Sequence, residues 1–132
     1  MDIATISLIL QLLIFALLIY GYFQFRASDI KGHGLVLCTA TVVHIGAIIL
    51  RMIPAASSDP QFMSISLDPL SLIHWGHLAL GLLAPVLGGY ISLRWVWHGT
   101  DPRFCRGKWL MRVTFVSWMV SLILGIVMYF LP

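Results

Sequence analysis

Residues 31–51 read KGHGLVLCTATVVHIGAIILR, and this stretch decides the class of the molecule. A lysine and an arginine bracket a run with no carboxylate, lysine or arginine inside it. Roughly 20 predominantly apolar residues are enough for an α-helix to cross the hydrocarbon of a bilayer. His33 and His44 lie eleven residues apart in this run. On a helix that is three turns, so both imidazoles share one face, roughly 16 Å apart along the axis. Arg51 follows His44 by seven residues and falls on nearly the same face. A titratable side chain inside a span is costly to desolvate, which makes it a functional candidate by default. His44, near mid-span, is such a residue.

The rest of the chain agrees with a membrane setting. Of 132 residues, 60% are hydrophobic and 10% charged, and there is no glutamate. A soluble domain carries about 25% charged residues. Mean hydropathy is +0.96. Three further apolar stretches, about 3–24, 72–97 and 109–131, join the one at about 33–53. The expected fold is an all-α membrane protein, a single domain of four transmembrane helices in an up-down-up-down bundle. The first stretch lacks a basic leader and is too long for a signal-peptide core, so it reads as a retained span. Residues Ala55 to Ser71 form the longest connection, expected at the membrane surface as a loop or short interfacial helix. Pro85 is expected to kink the third span.

Charge orients the bundle. Arg26, Lys31, Arg94, Arg103, Arg106, Lys108 and Arg112 fall at one end, and Arg51 alone at the other. Seven against one puts the two basic loops in the cytoplasm and both termini outside. The expected location is the cytoplasmic membrane of a prokaryote. The net charge of +3 therefore reports topology and not a nucleic-acid partner. Cys38 and Cys105 sit at different depths, which argues against a disulfide between them. Asp29, Asp59, Asp68 and Asp101 fall in connections, and with no carboxylate in a span an ion pump is disfavoured. No CxxC, phosphate-binding loop, nucleophile elbow or HExxH motif occurs.

What remains is histidine chemistry. His33 and His98 belong to the basic interface, and His44, His74 and His77 to the opposite half. On antiparallel spans His44 and His77 reach similar depth. Two facing imidazoles are the usual ligand set for heme b, each giving one nitrogen to iron and its other N–H to an acceptor. Gly81 and Gly88, four and eleven residues after His77, would give a macrocycle room, as would Ala40 and Ala47 near His44. Arg51 would pair with a propionate. A second heme is conceivable between His33 and His98, and His74 could replace His77 or contact a quinone. The competing explanation is plain: buried histidines serve as hydrogen-bonded structural residues, and the glycines let helices pack closely. Copper or zinc between two histidines is disfavoured, since Cys38 is the only thiolate or carboxylate within the spans.

Three features carry a resemblance over about residues 30–131. A His opens span two (His33). A second His near the start of span three precedes an Ala/Gly-rich run (His77, then LALGLLAPVLGG). The last span reads W-x6-G-x3-Y (Trp118, Gly125, Tyr129) with Arg112 before it. In these the chain resembles the small four-helix membrane proteins of the YozB-like domain-of-unknown-function family, which implies the four-span fold and no particular activity. That family has a His shortly before the last span, where Gly107 stands here, and His44 lies outside its pattern. The general plan is also similar to cytochrome b561 and other di-heme four-helix cytochromes b, in which paired histidines on antiparallel spans hold the hemes.

The expected function is a b-type membrane cytochrome passing electrons between a quinol pool and a protein partner, with the lipid bilayer as its solvent. Electron transfer, alone or within a larger complex, suits so short a chain better than stand-alone catalysis. The rival is a non-redox accessory or assembly subunit of a respiratory membrane complex.

Overall fold

A computed structural model describes residues 3–58, 68–99 and 108–130, and these are the residues meant below. Four long helices carry the fold: α1 Ile3–Arg26, α2 Ile30–Ala47, α4 Pro69–His98 and α5 Lys108–Phe130. A π-helical turn, Ile48–Met52, continues α2 into the short α3, Ile53–Ser58. Four segments are long and apolar enough to span a bilayer: Thr5–Arg26, Ile30–Met52, Pro69–His98 and Lys108–Phe130. The expected all-α, four-span architecture is thus the observed one.

Helix ends follow local chemistry. The turn after α1 places Ser28 at φ 63°, and Asp29 then caps α2 by accepting the Gly32 N–H at 2.9 Å. That bond satisfies one of the orphan donors every helix N-terminus carries. Asp68 does the same for α4, accepting from Ser71 N at 3.1 Å, with Pro69 at the first helical position. Proline suits that position because its missing N–H would have had no intrahelical partner. This cap explains why α4 begins three residues before the expected start at 72. Gly99, at φ 58°, closes it and donates its N–H to the Trp95 carbonyl at 2.8 Å. Span two also differs from expectation. The helical path passes through Pro54, the second residue of α3, directly after the π-helical turn. Residues 59–67, most of the longest connection, lie outside the described residues, as do Arg103, Cys105 and Arg106 in the second basic loop.

The helices pair in a ring. The broadest contacts are α4 with α5 and α1 with α2; narrower ones of α2 with α4 and α1 with α5 close it. α2 and α5 are therefore diagonal partners. The centre is Ile14, Leu18, Ala40, Ala84, Trp118 and Leu122. Small residues let the backbones approach, which is how helices associate where lipid is as apolar as the side chains. Val42, Leu50, Val86 and Trp109 project outward. An apolar outer face suits hydrocarbon as solvent, so the chain is read as an integral membrane protein in contact with lipid.

Candidate functional site

The histidines occupy two levels of the bundle. At the level far from the basic end, His44 of α2 and His77 of α4 both dock on α5. The indole N–H of Trp118 donates to His44 Nδ1 at 2.5 Å, with the rings 5.5 Å apart. His77 Nδ1 lies 2.8 Å from the Ser121 carbonyl, and Ser121 Oγ donates back to the His77 carbonyl at 3.2 Å. Trp118 and Ser121 are three residues apart, about 4.5 Å along α5.

These partners assign opposite tautomers to the two rings. An indole nitrogen only donates, so His44 Nδ1 must accept and its proton sits on Nε2. A carbonyl only accepts, so His77 Nδ1 carries the proton and Nε2 keeps its lone pair. His77 has the form an axial ligand needs, with the far N–H held by an acceptor. His44 has the reverse form: giving Nε2 to a metal would place a proton on Nδ1, against the indole N–H.

Gly81 and Gly88, expected to give a macrocycle room, lie close to side chains of the neighbouring helices. A Cβ on Gly88 would lie 3.0 Å from both Thr41 Oγ1 and Trp118 Cζ3, and one on Gly81 would lie 3.1 Å from Ser121 Oγ. Trp118 is fully buried, as is Ser121. Gly81 and Gly88 thus serve helix packing. Gly125 makes room for two groups at once, since its Cβ would meet Gln11 Oε1 at 2.5 Å and His77 Cε1 at 2.8 Å. Gln11 Oε1 is buried and accepts no hydrogen bond among the described residues.

Arg51 lies in the π-helical turn, half-buried. Extra residues per turn there rotate it away from the face that a regular helix would share with His44. His74, one turn before His77, is half-buried, with its ring edge-on to Trp75 at 6.3 Å.

At the basic end the arrangement is different. His33 Nδ1 lies 2.8 Å from the Gly21 carbonyl of α1. Gly21 is buried, and it admits Val36 and the His33 ring close to the α1 backbone. The carbonyl fixes the proton on Nδ1 and leaves Nε2 as a free donor to a ligand. His33 lines a cavity of about 460 Å3 between α1, α2 and α5, with Ile91 of α4 also in its wall. Binding clefts for small molecules run about 300–1,000 Å3 and are mostly apolar with a few polar groups. This one fits that description: its walls are aliphatic and aromatic, with Tyr22 and Phe115 in contact at 6.2 Å. Arg26, Lys108 and Arg112 line it too. All three are exposed, and no carboxylate among the described residues pairs with them. A body that is apolar and a head that is anionic would match this cavity.

His98, the expected partner of His33, is not among the residues that line this cavity. It is exposed at the end of α4. No group of three or more His, Cys, Asp or Glu is placed to hold a metal ion among the described residues. Cys38 is a free thiol.

Reading the histidines alone misses their partners. Thr114, Ser117, Trp118, Ser121, Leu122 and Gly125 form the buried stripe of α5. Their spacing of three and four is visible in the sequence as small and polar residues recurring on one face of an apolar span. Comparison with family models, curated proteins and solved structures returns no match.

Proposed function

We propose that this chain is a b-type membrane cytochrome that holds one heme in the cavity at its basic end, with His33 as an axial ligand. The observation that carries this is the His33 tautomer. Its Nδ1–H is spent on the Gly21 carbonyl at 2.8 Å, and His33 lines a cavity of about 460 Å3. Arg26, Lys108 and Arg112 supply charge-assisted hydrogen bonds for two propionates. Aromatic and aliphatic walls exclude water from the rest of the macrocycle and so help set its potential. Heme supplies one-electron chemistry, and the protein contributes ligation, burial and orientation. The natural donor in a bilayer is a quinol and the acceptor a protein partner. By the positive-inside rule, the cavity opens towards the cytoplasmic leaflet.

The outer histidines have another role in this reading. His44 is locked by Trp118 and His77 by Ser121, so both tie α2 and α4 to α5.

The test is heme content per mole of purified protein by the pyridine hemochrome assay, after expression with heme supplied. The wild type is expected to carry up to one heme. His33→Ala should lose it and recover it with added imidazole, while His44→Ala and His77→Ala should keep it when folded. A colourless wild type overturns the cytochrome reading in favour of a non-redox subunit. Full heme content in His33→Ala overturns the site.

A further inference from the structure

Resting on that reading, we infer that Met111 is the second axial ligand, set opposite His33 across the cavity. α2 and α5 both start at the basic end and are diagonal partners in the ring. His33 is the fourth residue of α2 and Met111 the fourth of α5. At 1.5 Å of rise per residue, each lies about 4.5 Å inside its own helix start, so both sit in the first turn at the basic end. Both line the same cavity. Ligands from the first turns of diagonal helices, both in the wall of one cavity, can bracket a planar macrocycle.

The inventory of the walls narrows the choice. Heme iron in proteins takes His, Cys, Met or Tyr as axial ligands. The cavity contains one His, no Cys, one Met and one Tyr. Tyr22 is exposed, with its ring against Phe115 and Phe23. Met111 is half-buried, unbranched and adaptable, and it sits in the first turn of α5. A thioether is neutral and soft, so it favours ferrous over ferric iron and raises the potential above that of a bis-histidine site. The chain would then be an electron acceptor from quinol in the cytoplasmic half of the membrane.

The experiment reconstitutes the full-length protein with hemin in lipid nanodiscs. Heme stoichiometry, ferric spin state by electron paramagnetic resonance, the near-infrared thioether-to-iron charge-transfer band and the midpoint potential are then read. The wild type should be low-spin with the band present. Met111→Leu should keep heme stoichiometry but turn high-spin, lose the band and show a lower potential. Met111→His should restore the low-spin state without the band. A wild type that binds hemin but is high-spin overturns Met111 ligation while leaving the His33 site intact. So does a Met111→Leu spectrum identical to wild type, or a loss of low-spin signal in Tyr22→Phe alone. A wild type that binds no hemin removes both proposals together.

Discussion

Trp118→Phe is the sharpest test of how the bundle is held. Trp118 is 0% exposed, and its N–H is the partner of His44 Nδ1. Phenylalanine keeps an aromatic ring but deletes the donor and the fused five-membered ring. The hydrogen bond crosses from α5 to α2, and interhelical bonds of this kind average about 0.6 and reach about 1.7 kcal/mol in membranes. The space left among Thr41, Gly88 and Ala84 costs about 1–2 kcal/mol more, by the large-to-small rule for cores that relax only partly. Together they amount to a loss of about 2–4 kcal/mol. Trp109, 76% exposed, is the internal control, and Trp109→Phe should change stability by less than about 0.5 kcal/mol. The assay is reversible unfolding in mixed detergent micelles, followed by circular dichroism. A double-mutant cycle with His44→Phe isolates the bond and should give a coupling of about 0.6–1.7 kcal/mol. Coupling below about 0.3 kcal/mol, or a Trp118→Phe loss no larger than that of Trp109→Phe, would refute the assigned bond and with it the His44 tautomer.

Three further outcomes follow from other parts of the structure. Asp29→Ala removes the cap on Gly32 N–H and should cost about 1 kcal/mol in the same unfolding assay, with no change from Asp29→Asn. Gly34→Ala would put a Cβ 2.2 Å from Trp95 Cε2 and should cost about 1–3 kcal/mol, whereas Gly46→Ala meets nothing within 4 Å and should leave the midpoint unchanged or raised. Replacing Arg26, Lys108 or Arg112 by Gln should weaken hemin binding about two- to fivefold each, the effect of about 0.5–1 kcal/mol from an exposed ion pair. The dimethyl ester of hemin should be insensitive to those changes, and equal losses for both forms in a binding titration would show that the cations do not hold the propionates.

Much of the fold is legible in the chain because a bilayer simplifies the problem. Backbone polar groups in hydrocarbon must be satisfied within the segment, so an apolar run of span length has helix as its available form. KGHGLVLCTATVVHIGAIILR therefore declares a span on its own, and three other runs do the same. Short connections make neighbours antiparallel, and the lopsided arginines and lysines orient them. The departures are local. Asp68 and Pro69 start α4 early through a cap that hydropathy does not register. A π-helical turn moves Arg51 off the face that regular spacing assigns to it.

The site is legible only in part. Residue type and depth single out five histidines from sequence, and even place His44 and His77 in the same half. Spacing along one helix cannot say which neighbour a side chain meets, because that depends on rotation and on the order of helices around the ring. Tertiary structure alone gives His44 to Trp118, His77 to Ser121 and His33 to Gly21. Those partners decide where each proton rests, and hence which imidazole nitrogen is left to bind anything. The chain by itself determines that there are four helices and which end is basic. Packing decides that, among the described residues, a cavity lies beside His33 and a buried indole stands next to His44 in the middle of the bundle.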